Sequence, residues 1–184
     1  LLASSAASDV YKRQVRHIVG VQLRNLATVG GSIYSRFGFS DVLTMFLALN
    51  ASVELYKGGV VPLAEYAQRP YDRDILVRVL VPKENACFVY QSVRNSQTDF
   101  PVLTCAAAKL ADGSIRAAIG ARPGKAVLYT AAPEAGETAE EFAARFAAEV
   151  KADIKTESNL RGGAEYRRHL AGVLTKRAVC RLEG

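Results

Sequence analysis

Apolar and polar positions change their period twice along the chain, and the changes divide it into strands and helices. The first strong signal is the apolar run Val42 to Leu49, preceded by Ser40-Asp41. A hydroxyl followed by a carboxylate and then apolar residues predicts a short helix from about 41 to 49, with Ser40 as its N-cap and Asp41 in its first turn. Ser52 to Tyr56 then alternates as a half-buried strand, and Lys57-Gly58-Gly59 turns it into Val60-Val61-Pro62 as a hairpin. Leu63 to Gln68 makes a helical turn that Arg69-Pro70 stops, because the residue before proline is pushed out of the α region. Asp74 to Pro82 alternates again. It places Ile75, Val77, Val79 and Val81 on one face and Leu76, Arg78 and Leu80 on the other.

Pro82-Lys83-Glu84-Asn85 breaks the pattern, so a domain boundary is expected after 83. Beyond it, Ala86 to Ser92 and Asp99 to Leu110 read as strands, and Asp112-Gly113 signals a hairpin into Ser114 to Gly120. Arg122-Pro123-Gly124 is a further turn, and Ala126 to Thr130 has the composition of an edge strand. The period then shifts to about 3.6. Thr138 with Glu141 forms a capping box, and Phe142, Phe146, Val150 and Ile154 follow down one stripe. A last helix, from about 163 to 181, is expected to bury Tyr166, Leu170, Val173 and Leu174 while showing Arg167, Arg168, Lys176 and Arg181. Strands followed by two helices make the C-terminal half α+β.

One stretch asks for a special backbone: Ala27-Thr28-Val29-Gly30-Gly31-Ser32-Ile33. Adjacent glycines can take positive φ and expose successive N–H groups, with the Thr28 and Ser32 hydroxyls beside them. That arrangement suits a phosphate, although a Gly-Gly pair between apolar residues is commonly an ordinary turn. Asp41, a few residues on, either serves the helix start or reaches a ribose hydroxyl.

Composition narrows the classes. A chain of 184 residues, 49 % of them apolar, is long enough for one good core or two small ones, and no window approaches the ~20 apolar residues of a membrane span. The net charge of +6 permits an anionic partner without choosing one. Cys87, Cys105 and Cys180 lack any C-x-x-C spacing, so no zinc or chain-borne iron–sulfur site is expected, and an odd count without a secretory signal suggests a reducing, cytoplasmic setting. His17 has no partner in sequence that would make it a catalyst, and no residue stands out as a general base or nucleophile. Residues 1–14 show neither period and are expected to be a non-native or disordered leader.

The run Gln22-Leu23-Arg24-Asn25-Leu26-Ala27-Thr28-Val29-Gly30-Gly31-Ser32-Ile33 resembles the second FAD-binding loop of the flavoprotein subunits of molybdenum hydroxylases, the xanthine dehydrogenase and carbon monoxide dehydrogenase family. The likeness continues through Ser40-Asp41, Asp74-Ile75-Leu76-Val77, Arg94-Asn95, Thr98-Asp99-Phe100-Pro101, Ser158-Asn159-Leu160-Arg161 and Ala164-Glu165-Tyr166-Arg167-Arg168. The resemblance implies an α+β fold: the C-terminal part of a vanillyl-alcohol-oxidase/PCMH-type FAD-binding domain over 15–83, then a small α+β domain over 84–184 with a three-stranded antiparallel sheet packed with helices. It implies FAD contacts from Thr28, Val29, Gly30, Gly31, Ser32 and Ile33, from Asp41, and from Leu76 at the edge of the isoalloxazine. It also implies a contact from Gln91, where the chain departs from the many relatives that carry Lys near that position. The family's first Gly-rich loop, of Gly-Gly-Thr-Asp type, has no counterpart in 1–14, so the chain reads as an N-terminally truncated flavoprotein.

The function implied is electron transfer, with molybdopterin and [2Fe-2S] clusters on partner subunits, FAD on this one, and NAD+ or another acceptor. Two alternatives stay open. The basic residues Arg161, Arg167, Arg168, Lys176, Arg177 and Arg181 could form a nucleic-acid face, although aromatic residues are not interleaved as stacking platforms and a solvated or docking face is preferred. The C-terminal half could equally be an assembly module without flavin.

Overall fold

The computed structural model describes residues 15, 18–83 and 87–183. The expected leader over 1–14, His17 and the Glu84-Asn85 end of the interdomain turn lie outside the described residues. Two short helices come first, α1 (Val21–Leu26) and α2 (Val29–Tyr34), then α3 (Asp41–Ala48). Strands β1 (Ser52–Leu55) and β2 (Gly59–Pro62), a turn of helix α4 (Leu63–Tyr66) and β3 (Leu76–Leu80) complete the first half. The second half runs β4 (Cys87–Val93), β5 (Leu103–Lys109), β6 (Ile115–Gly120), β7 (Val127–Ala131), α5 (Ala139–Asp153) and α6 (Ala164–Glu183). The strands form two antiparallel sheets, in the orders β2-β1-β3 and β4-β5-β6-β7. The second sheet therefore has four strands where three were expected, because Val127 to Ala131 pairs along β6.

The four-stranded sheet is covered on both faces, and its sequence shows why. Odd positions Leu103, Cys105, Ala107, Ile115, Ala117 and Ile119 face a core built with Phe142, Phe146 and Val150 of α5 and Leu170, Leu174 and Val179 of α6. Even positions Ala106, Ala108 and Ala118 face the other way and share a core with Ile33, Leu43, Leu47, Val53 and Tyr66. Small residues on that second face let α3 lie close against β5 and β6. A methyl at Gly120 would stand 2.4 Å from Thr44 Oγ1 and 2.8 Å from the Gly38 carbonyl oxygen. Helix α3 is thus buried nearly all round, with β5 and β6 beneath it and α2 and α4 packed against it, as its continuous apolar run requires. The core on this face draws residues from both sides of the Pro82-to-Asn85 break.

Helix ends follow local chemistry. The Ser40 hydroxyl accepts the Leu43 N–H at 3.2 Å, and α5 has its capping box, with Thr138 Oγ1 accepting from Glu141 and the Glu141 carboxylate accepting from the Thr138 N–H at 2.9 Å. Each such cap is worth about 1 kcal/mol.

Three sequence expectations fail for identifiable reasons. Strand β3 does not keep one apolar face. The ladder steps from Glu54 opposite Arg78 to Leu55 opposite Leu76, so Val77 bulges; Leu76 and Val79 both pack on the core while Ile75 and Val77 are 65 % and 50 % exposed. In α6, Tyr166 is exposed and Arg167 is fully buried. The Arg167 guanidinium donates to the carbonyls of Val102 at 2.9 Å, Glu157 at 2.7 Å and Gly162 at 2.5 Å, and to Asn159 Oδ1 at 2.6 Å. It ties the loop before α6 to the strand end rather than joining a basic surface.

Candidate functional site

The Gly-Gly stretch is the start of a helix, not a positive-φ loop. Thr28 is the N-cap of α2, its Oγ1 accepts the Gly31 N–H at 3.0 Å, and neither Gly30 nor Gly31 is among the glycines with positive φ. The Ser32 hydroxyl donates to the Thr28 carbonyl at 2.9 Å, and Ile33 is fully buried. Of the six residues named from the sequence, Thr28, Val29, Gly30 and Gly31 form the exposed end, whereas Ser32 is turned back on the helix and Ile33 belongs to the core. No acceptor among the described residues takes the Val29 or Gly30 N–H. A Cβ at Gly30 would meet nothing within 4 Å, so the glycine leaves the ground before these amides open. A Cβ at Gly31 would press on Thr28 Oγ1 at 3.0 Å, so that glycine protects the cap. Two unpaired N–H groups at a helix start, with no side chain in front of them, fit a phosphate oxygen.

Asp41 sits at the start of α3, 4 % exposed. Its Oδ1 accepts from the Tyr90 hydroxyl and, at 2.7 Å, from Arg94 Nη2. Burial, with Asp41 beside it, raises the Tyr90 hydroxyl's pKa well above the ordinary tyrosine value, so the ring donates and does not ionise. The carboxylate, assigned from sequence either to the helix start or to a ribose, is therefore in the first turn of α3 and held inside the fold, clamping α3 to β4. Arg94 continues the connection, its Nη1 donating to the Asp99 carbonyl at 2.7 Å. The Asp99 carboxylate in turn takes Arg161, with Nη2 to Oδ1 at 2.8 Å, and that donor, chiefly, lowers its pKa. Charges of alternating sign run from the head of α3, through the β4–β5 loop, to the turn before α6.

Leu76 and the glycine helix belong to one neighbourhood, since α2 packs against both α3 and β3. Leu76 itself points into the core, and Ile75 and Val77 form the open surface of that strand. Gln91 is not brought there. It alternates with Val89 and Val93, which pack on the α5/α6 core, and stands opposite Cys105 in β5. Its Nε2 is buried with no partner among the described residues. Burial likewise pushes the Cys105 thiol up to about 12, which makes it a core residue and not a reactive one.

Sequence reasoning missed Tyr90 and Arg94 as the partners of Asp41. It also missed a cleft of about 670 Å³ beyond the far end of α2, walled by Phe37, Phe39, Phe100 and Tyr71 and bearing Arg36 and Arg161. The one available signal was the density of aromatic and basic residues in Tyr34 to Phe39, which the structure assembles with Phe100 from the β4–β5 loop. Among the described residues, no cluster of His, Cys, Asp or Glu is arranged to hold a metal, and no helix is long and apolar enough to cross a membrane.

Comparisons with known proteins agree on one family. A family model described as the FAD binding domain in molybdopterin dehydrogenase matches residues 2–84, and one described as the CO dehydrogenase flavoprotein C-terminal domain matches residues 88–182. Among curated relatives, the uncharacterized protein YgfM of Escherichia coli (strain K12) is 27 % identical over 169 residues, which cover 92 % of this chain and 60 % of the relative. The chain thus spans about 60 % of the length of that relative. Among solved structures, quinoline 2-oxidoreductase from Pseudomonas putida 86 aligns with a TM-score of 0.77 at 19 % identity, over 95 % of this chain and 67 % of that one. Carbon monoxide dehydrogenase from Hydrogenophaga pseudoflava aligns with a TM-score of 0.78 at 23 % identity, over 93 % and 65 %. The enzyme from Oligotropha carboxidovorans gives 0.79 at 20 %, over 95 % and 67 %.

Proposed function

This chain belongs to the CO dehydrogenase-type flavoprotein family, in which an FAD-binding domain precedes the flavoprotein C-terminal domain, and on that premise we propose that it is the electron-transferring FAD subunit of a molybdenum hydroxylase. Its partners on this reading are a molybdopterin-binding subunit and a [2Fe-2S] subunit, and NAD+ or another acceptor removes the electrons.

The observation that supports the reading is the pair of N–H groups, of Val29 and Gly30, that find no acceptor among the described residues at the exposed start of α2. These amides would hold a pyrophosphate oxygen, Gly30 keeping the approach clear and Gly31 preserving the Thr28 cap. FAD, when bound, supplies the acceptance and release of electrons, and the protein's own tasks are holding, orienting and excluding water. Asp41, Tyr90 and Arg94 serve orientation at one remove, because they fix the head of α3, against which α2 packs. Leu76 and its exposed neighbours Ile75 and Val77 offer apolar surface on the strand beside α2. Gln91, on the opposite face of the four-stranded sheet, has no part in this contact set.

Gly30→Val tests the proposal, because its side chain meets empty space in the protein yet stands before the free amides. FAD affinity, read from quenching of flavin fluorescence on titration, should fall about tenfold or more, with little change in melting temperature. Equal FAD affinity in the two proteins would remove the cofactor from the glycine helix.

A further inference from the structure

The cleft beyond α2 has the composition of a small-molecule site and is separate from the glycine end of that helix. Arg36 lies two residues past Tyr34, so a six-residue helix, about 9 Å long, stands between it and the amides of Val29 and Gly30. At about 670 Å³ the cleft falls in the range that holds drug-sized ligands, and its walls are mainly apolar. Phe37 and Phe39 stack with centroids 5.1 Å apart, Phe39 meets Phe100 edge-on at 4.9 Å, and the Arg161 guanidinium lies 5.4 Å from the centre of the Phe100 ring. Phe37 and Phe39 remain 51 % and 42 % exposed, so flat apolar surface is offered to something outside the fold.

At one end of the cleft is a buried cation with hydrogen-bond donors to spare. Arg36 is 4 % exposed and held at φ 52°, its guanidinium face 4.0 Å from the centre of the Tyr66 ring. Nη1 donates to the Pro70 carbonyl at 3.2 Å and Nη2 is ion-paired with Asp72 Oδ1 at 3.5 Å, but Nε and Nη2 have no hydrogen-bond partner among the described residues. Nε and Nη2 share the edge of a guanidinium that takes a carboxylate side-on through two parallel bonds. Tyr71 also lies by the guanidinium, its ring centre 5.0 Å away and 63 % of the residue exposed, with its hydroxyl donating to the Ser35 carbonyl, a bond that a ligand reaching Arg36 past this ring would break.

We propose that this cleft binds a planar aromatic carboxylate, the ring against Phe37, Phe39 and Phe100 and the carboxylate on the Nε–Nη2 edge of Arg36 after Tyr71 swings aside. Arg161 stands at the rim with its charge balanced by Asp99 and offers the flat face of its guanidinium beside Phe100. The inference does not depend on flavin.

The test is a titration of the full 184-residue chain with 2-naphthoate, followed by calorimetry, beside the neutral isostere 2-naphthalenemethanol. Saturable one-to-one binding of the acid is expected, with the alcohol about tenfold or more weaker, since only the acid makes two charge-assisted bonds. Phe39→Ala, a change at an exposed ring, should weaken the acid by about tenfold without lowering the melting temperature. Arg36→Lys keeps the charge and loses the fork, so the advantage of acid over alcohol should shrink without vanishing. If that variant fails to fold, the acid-against-alcohol ratio and Phe39→Ala decide. Saturating FAD should leave the naphthoate isotherm unchanged. Absence of binding, equal affinity for acid and alcohol, indifference to Phe39→Ala, or competition by FAD would each overturn the proposal. Competition would assign the cleft to the cofactor, whereas Gly30→Val separately tests the glycine helix.

Discussion

Asp41 shows how much one residue's surroundings can change its role. The sequence places a carboxylate at a helix start after a glycine pair, which suits either a cap position or a ribose. The structure gives it Tyr90 and Arg94, 49 and 53 residues further on. Nothing in local spacing marks such partners. Arg94→Met would leave a buried carboxylate with one donor only, and a loss of about 3–5 kcal/mol in denaturant unfolding is expected; a loss below about 1 kcal/mol would show that water already reaches Asp41. Arg167 was illegible for a related reason, because its acceptors are mostly backbone carbonyls, which every sequence contains. With Arg167 buried and Arg161 bound to Asp99, the supposed basic face retains only Arg168, Lys176, Arg177 and Arg181. Titration gives a second prediction at this scale. The Arg145 donors, foremost, and the Glu134 N–H bring the Glu137 carboxyl from its ordinary 4.5 down to about 2. Between those values the unfolded chain binds the proton and the folded one does not, so this pairing stabilises above about 4.5 and its contribution disappears as pH falls toward 2. Arg145→Met should flatten that part of the acid limb, and an unchanged limb would mean that solvent screens the pair.

Elements with a local cause were the most legible. The Thr138–Glu141 box, the Ser40 cap and the Lys57-Gly58-Gly59 hairpin each name their own geometry, and the structure contains all three. The glycine pair misled because glycine adopts helical angles as readily as left-handed ones, so its presence licenses a turn without requiring it. The bulge at Val77 misled because alternation assumes an uninterrupted ladder. Packing of α3 on the four-stranded sheet yields a prediction for Gly120. The methyl of Gly120→Ala would overlap Thr44 Oγ1, Thr104 Oγ1 and the Gly38 carbonyl oxygen, and overpacking of this kind costs about 1–3 kcal/mol. A melting temperature equal to the wild type would show that α3 can shift outward freely.

Across the whole molecule, the division after residue 83 is visible in sequence as a change of composition, yet one core crosses it. Ala106, Ala108 and Ala118 are too small to cover themselves and are roofed by α3, from the first half. Alanine runs carry no information about which element will lie on them, so this association could not be read in advance. Leu43→Ala should therefore weaken protection of β6 amides in hydrogen exchange as much as those of β1, at a global cost of about 2–5 kcal/mol. Selective loss in β1 alone would separate the halves.

The position of α3 on the four-stranded sheet also has a consequence for biosynthesis. Its apolar run ends at Leu49, and the strands it packs on, β5 and β6, are complete only when Gly120 has been made, which is 72 residues counted from 49 to 120 inclusive. At ~5–20 residues per second, the ribosome needs about 4–14 s to supply it. For that interval the nascent chain carries a helix with one greasy side uncovered, a substrate for chaperones that shield such segments until translation catches up.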